Sequence, residues 1–88
     1  MSYDVEWASP ALRSLRRLPD RVAAVVVEFI YGGLAENPAR VGRPLRWELE
    51  GLHAARRGDF RVVYRIDDAR RVVIIEAVAH RADIYRPS

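Results

Sequence analysis

The sequence contains no cysteine and no lysine. Without thiols there is no disulfide framework, no thiolate metal site and no cysteine nucleophile, and a reducing, cytoplasmic setting suits such a chain. Without lysine, all 15 basic residues are arginine. A guanidinium presents a planar fork of donors matched to phosphate, and it stays protonated near neutral pH, so it cannot serve as a general base. GC-rich arginine codons account for the bias without any appeal to function. The chemical consequence is the same: proton transfer falls to His, Tyr, Asp, Glu or the substrate itself. Histidine is also scarce, with only His53 and His80. Two lone imidazoles without His-x-x-x-His spacing predict no metal site and no metal cofactor. Neither a glycine-rich phosphate loop nor a Ser or Cys triad is present. Apolar runs such as Ala23–Val27 and Val72–Ile75 are too short to cross a bilayer, and no signal segment is visible, so no membrane role is expected.

What remains is a chain of 88 residues, half of them apolar, with a net charge of +3 and an isoelectric point near 9.9. That size and apolar content support one domain spanning residues 1–88 with one modest core. The basic balance points to a polyanionic partner.

Hydrophobic periodicity gives the elements. Tyr3, Val5 and Trp7 alternate with Asp4 and Glu6, the mark of a half-buried strand. Ser9 is placed to cap a helix with Pro10 in its first turn, and Leu12, Leu15 and Leu18 recur at helical spacing. Pro19 stops that helix, and Asp20 is placed to cap a second. The second helix carries Val22, Val25, Val26, Phe29 and Ile30 as its apolar stripe. Gly32-Gly33 marks its end or a bend, and Asn37-Pro38 terminates the element. An arginine-rich irregular stretch, Arg40–Leu49, follows. Three strands are expected at about Leu52–Arg57, Phe60–Ile66 and Val72–Ala79, with Gly58-Asp59 as a two-residue hairpin turn. His80–Ser88 forms a short polar tail or helical turn. The prediction is an α+β fold of order β-α-α-β-β-β: two N-terminal helices packed on a small, curved, mainly antiparallel four-stranded sheet.

If Gly58 and Asp59 make the turn, Arg56 lies opposite Arg61. Side-chain alternation then puts Arg56, Arg61, Val63 and Arg65 on one sheet face, and Val62, Tyr64 and Ile66 on the helix side. Like charges directly opposite one another destabilise a sheet by a few tenths to ~1 kcal/mol. Two readings stay open. An anion sits between the guanidiniums, or Glu48, Glu50 or Glu76 neutralises them. Trp47, beside Arg46, either stacks on a base or packs in the core or against a partner.

Four blocks carry a resemblance: Arg43-Pro44-Leu45-Arg46, Gly51-Leu52, Arg56-Arg57-Gly58-Asp59-Phe60-Arg61-Val62-Val63-Tyr64, and His80-Arg81 followed by Tyr85. In order and spacing the set resembles the RelE branch of the RelE/ParE toxins over nearly the whole chain. Phe60 stands where the family usually has Tyr, a change that keeps the ring for packing.

The resemblance implies a metal-independent endoribonuclease, an mRNA interferase that cuts messenger RNA in the ribosomal A site and stops translation. It implies no cofactor. Its partners would be the ribosome, mRNA and a RelB-like antitoxin, with operator DNA reached only through that antitoxin. Carried over by residue, Arg61 and Arg81 match arginines that contact the scissile phosphate, and Arg56 lies on the strand that holds catalytic basic residues, often lysines. Tyr85 matches a C-terminal catalytic tyrosine, and His80 fits many relatives. A titratable imidazole and a phenol compete for the proton-transfer role: His80 by its ordinary pKa, Tyr85 by resemblance. Arg43, Arg46, Arg57 and Arg86 are expected on the RNA backbone. Two alternatives remain: a ParE-like gyrase poison, and a non-catalytic homologue acting only as an antitoxin-bound co-repressor.

Overall fold

The computed structural model describes residues 2–80. Strand β1 (Asp4–Trp7) leads into helix α1 (Ser9–Arg17) and helix α2 (Asp20–Phe29). A π-helical turn, Ile30–Leu34, continues α2, and a short helix, α3 (Pro38–Val41), follows. Strand β2 (Arg43–Pro44) and a 3-10 turn, Trp47–Leu49, precede the long strands β3 (Leu52–Arg57), β4 (Phe60–Asp67) and β5 (Val72–His80). The sheet therefore has five strands where four were expected, in the order β1-β5-β4-β3-β2. The added strand has only two residues, one of them proline. It shows no periodicity, and proline is tolerated there because β2 is an edge strand with no outer ladder to feed. Every pairing is antiparallel except β1 with β5.

The helices cover one face of the sheet. Val26, Ile30 and Leu34 from the α2 region bury against Val62, Tyr64, Val73 and Ile75, all fully shielded. Val25, expected on the apolar stripe, is 44% exposed. Its neighbours Val22 and Phe29 pack onto the core only in part. The helix starts also differ from expectation by one residue. Ala8 and Pro19 occupy the cap positions, and neither supplies a side-chain cap. Ser9 and Asp20 are the first helical residues instead. Asp20 still places a negative charge in the first turn, where the helix dipole favours it. Leu18, extended ahead of Pro19, ends α1. At Gly32 the backbone leaves helical geometry (φ −91°, ψ −105°), so the Gly-Gly pair marks a bend as well as an end.

One contact ties the helical half to the sheet centre. The Tyr64 hydroxyl, fully buried, donates to the Pro38 carbonyl oxygen at 2.5 Å. Burial pushes the Tyr64 pKa up to about 12, and a hydrogen bond from the Gly42 backbone opposes part of that rise. Gly42 is packed so closely that a Cβ there would meet both this hydroxyl and the Ala54 carbonyl oxygen, the latter at 2.8 Å.

Candidate functional site

The hairpin forms as the sequence predicts. Gly58 takes the left-handed backbone that a tight two-residue turn needs (φ 57°), and β3 pairs β4 with Arg57 opposite Phe60 and Arg56 opposite Arg61. Phe60, Val62 and Tyr64 are buried toward the helices, so Arg56, Arg61 and Arg65 stand exposed on the opposite, open face. Arg43 joins that face from β2 through its pairing with Ala54, which in turn lies opposite Val63. The floor between these arginines is made of small or half-buried apolar side chains: Ala54, Val63, Ala77 and Ala79.

Among the described residues, no carboxylate pairs with Arg56 or Arg61. Glu76, one of three acids able in principle to neutralise them, lies 3.7 Å from Arg65 instead. Two other ion pairs lie at the far end of the sheet, where Arg70 bridges Glu6 at 2.7 Å and Asp67 at 3.7 Å. The hairpin end of the open face is therefore a concentrated positive surface with a smooth apolar floor.

His80 is not on that surface. It lies opposite Phe60 at the end of β5, so it faces the helix side. There it lines a cavity of about 570 Å³ together with Arg21, Val22, Val25, Arg57 and Phe60. The cause is a β-bulge. Val63 pairs with Ala77, but the next residue, Tyr64, pairs with Ile75, leaving Glu76 as an extra residue in β5. A bulge shifts the alternation by one. Strict alternation from the buried Val73 and Ile75 would have sent His80 to the open face.

Arg57 is also on the helix side. Its guanidinium carbon sits 5.6 Å from the centroid of the Phe29 ring, and Phe29 meets Phe60 edge to face at 5.9 Å. Phe60, 5% exposed, is a packing residue as its ring-for-ring change implied. Arg57 is thus separated by the sheet from Arg56 and Arg61. Arg46 caps the exposed 3-10 turn beyond β2. Trp47 is 88% exposed, which removes the core from the readings open to it and leaves a base or a partner. Arg81, Tyr85 and Arg86 lie outside the described residues.

The description "ParE toxin of type II toxin-antitoxin system, parDE" belongs to a family model that matches residues 5–85. The chain belongs to the RelE/ParE family of type II toxins. Toxin RelG of Mycobacterium tuberculosis is 54% identical over 86 residues, covering 98% of this chain and 99% of that protein. Toxin RelE of the same organism is 54% identical over 84 residues, covering 96% of this chain and 87% of its own. In the crystal structure of the toxin–antitoxin complex RelBE2 from M. tuberculosis, one chain superposes with a TM-score of 0.91 at 51% identity, covering 94% of this chain and 95% of that one. This toxin is thus similar over nearly its full length to members bearing the RelE and RelG names. No helix among the described residues is long and apolar enough to cross a membrane.

Proposed function

We propose that this toxin is a ribosome-dependent endoribonuclease that cleaves mRNA in the A site, without a metal ion, and is held inactive by a RelB-like antitoxin. The observation that carries the reading is the pair Arg56 and Arg61, directly opposite on an open sheet face with no carboxylate partner among the described residues. Such a pair is repulsive when empty and favourable when an anion lies between the guanidiniums. A scissile phosphodiester is that anion.

In the reaction, the ribose 2′-oxygen attacks phosphorus, the P–O5′ bond breaks, and a 2′,3′-cyclic phosphate forms. The 2′-hydroxyl proton leaves to a base, and the 5′-oxygen receives a proton as it departs. Arg56 and Arg61 neutralise charge on the phosphoryl oxygens as it grows in the transition state. Arg81, matched to a family arginine, is assigned to the same phosphate. Tyr85 is assigned the proton transfer. A guanidinium beside a phenol favours its phenolate form, which would make such a role accessible. His80, on the other face of the sheet, is left out of the proton path. Arg43 and Arg46 are assigned to the RNA backbone, and Arg86 to the same role from the tail. Because the substrate is ribosome-bound mRNA, the toxin acts in the cytoplasm.

The antitoxin assignment rests on the solved complex of the 51%-identical relative with its antitoxin. The same relatives favour this reading over a gyrase poison, since the 54%-identical proteins carry RelG and RelE names. The test is induction in a bacterial host, with mapping of transcript ends. Wild type should arrest translation and leave cuts inside codons with cyclic or 3′-phosphate ends, and Arg61→Ala should relieve both. Growth arrest with intact transcripts and a DNA-damage response would replace the reading with the gyrase one. Absence of toxicity, with tight operator binding beside the antitoxin, would favour a co-repressor.

A further inference from the structure

We infer that Trp47 is a stacking platform for an unpaired RNA nucleobase, set at the opposite end of β3 from the Arg56–Arg61 pair. The inference rests on the nuclease reading and extends it to a second contact with the RNA.

Three features set Trp47 apart. It is 88% exposed, the highest exposure among the exposed large apolar side chains of the described residues. Its backbone is left-handed, at φ 61°, a costly conformation for a bulky non-glycine residue that persists only where the surroundings enforce it. The surroundings here do enforce it. The Leu45 amide donates to the Leu52 carbonyl at 2.8 Å and closes the loop at its base. Within that loop the Leu49 amide donates to Arg46 at 3.1 Å and the Glu50 amide to Trp47 at 3.0 Å. Gly51, at φ 93°, returns the chain to β3. The indole is therefore presented on a closed, hydrogen-bonded turn, already ordered before anything binds it.

The surrounding chemistry selects the ligand. Arg46, Trp47, Glu48 and Leu49 line an open cleft of about 330 Å³. A protein hot spot is a large apolar side chain enclosed by a ring of further contacts that exclude water. In this cleft only Leu49 adds apolar lining to Trp47, and the other two lining residues, Arg46 and Glu48, are charged. A base needs less: a π-face to stack on and a cation for its phosphate, which Trp47 and Arg46 supply. The turn leads directly into β3, the strand that carries Arg56. From Leu52, where Arg65 stands opposite, to Arg56 is four residues of strand, about 13 Å. Arg43 stands beside the middle of that path at Ala54. A bound strand that places one phosphate between Arg56 and Arg61 thus has arginines along its course and an aromatic face at its end.

The experiment measures cleavage kinetics on mRNA-programmed ribosomes for wild type, Trp47→Ala, Trp47→Phe and Arg61→Ala. Trp47→Ala should raise KM about 5- to 150-fold, the loss that removing one base–aromatic stack produces, with kcat little changed. Trp47→Phe should restore most of the affinity, and Arg61→Ala should lower kcat. An unchanged thermal midpoint for Trp47→Ala shows that the exposed side chain has no folding role. A set of messages with an abasic residue at each successive nucleotide on either side of the cut site identifies the source of the base. If wild type on one of these messages matches Trp47→Ala, the stacked base is the message's; if its KM is unchanged on all of them while Trp47→Ala still raises it, the base is ribosomal. Both results support the platform. Trp47→Ala kinetics equal to wild type, beside an inactive Arg61→Ala, would overturn the platform and leave the nuclease reading standing. Weakened antitoxin binding with normal cleavage would overturn it in favour of a protein contact. A wild-type protein that cuts nothing would end both proposals together.

Discussion

Arg56 and Arg61 are direct partners across the β3–β4 ladder, on the face that no helix among the described residues covers. Their mutual repulsion makes a double-edged prediction. Arg56→Ala or Arg61→Ala should stabilise the free toxin slightly, by a few tenths to ~1 kcal/mol, because like charges no longer oppose each other. The same substitutions should lower cleavage by about 10²–10³-fold, the usual loss when one charge-stabilising donor is removed. Thermal unfolding and ribosome-coupled cleavage, measured on the same preparations, check both halves. A pair that is purely structural would lose stability on substitution.

His80 separates the two faces of the sheet experimentally. It lies opposite Phe60 on the helix side, in the cavity with Arg21 and Arg57. A general acid or base contributes ~10²–10⁴-fold, so His80→Gln should cost less than about 10-fold in kcat if the proton path does not include it. A loss of 10²-fold or more, with the fold intact by circular dichroism, would put the imidazole back in the reaction.

The placement of His80 also shows where sequence stops being informative. The three long strands, the Gly58-Asp59 turn and the Arg56–Arg61 register were legible, because alternation and a tight turn leave few ways to pair β3 with β4. The family was legible from four short blocks. The bulge at Glu76 was not. One extra residue between Ile75 and Ala77 inverts every later side chain in β5, and nothing in Val-Ile-Ile-Glu-Ala-Val announces it. Strand β2 escaped for the opposite reason. Two residues hold no period, and Arg43-Pro44 is a strand only because β3 lies beside it. For Trp47 the sequence left core, partner and base open, because composition favours burying an indole, whereas a closed turn with a left-handed residue holds it out.

Tyr64 gives a prediction in alkaline solution. Burial raises its pKa from 10.0 to about 12, so the folded state favours the neutral phenol. The associated stability is fully present below pH 10, where the unfolded chain also keeps its proton. It declines as pH rises toward 12 and the unfolded phenol ionises first. Wild type should therefore lose about 1–2 kcal/mol across this window relative to Tyr64→Phe. At neutral pH the wild type holds its full advantage. Tyr64→Phe should be less stable by about 1–3 kcal/mol, since the Pro38 carbonyl loses its buried donor. Chemical denaturation at pH 7 and pH 11 distinguishes the two regimes.

Gly42→Ala tests the same junction from the other side. The added methyl would meet the Ala54 carbonyl oxygen at 2.8 Å as well as the Tyr64 hydroxyl. A backbone atom cannot rotate away, so overpacking of about 1–3 kcal/mol is expected. Combining Gly42→Ala with Tyr64→Phe should recover only the part due to the hydroxyl. Full recovery in the double variant would show that the Ala54 carbonyl is not a barrier.

Salt dependence measures how many arginines the RNA engages. With Arg43, Arg46 and Arg86 each on a phosphate and Arg56, Arg61 and Arg81 sharing one, log K should fall with log[salt] at a slope of about −2.8, from ~0.7 for each of four phosphates on a single strand. Removing Arg61 should flatten the slope by up to about 0.7, since Arg56 stays on the shared phosphate. Arg57→Ala should leave it unchanged, because Arg57 lies over the Phe29 ring on the helix side. Binding of an uncleavable 2′-O-methyl message to toxin on ribosomes, titrated with potassium chloride, gives all three slopes. The comparison between Arg57 and Arg61 cancels the ribosome's own salt response, so the difference reports which sheet face meets the RNA. A flatter slope for Arg57→Ala than for Arg61→Ala would move the interface to the helix side and remove the open face from the mechanism.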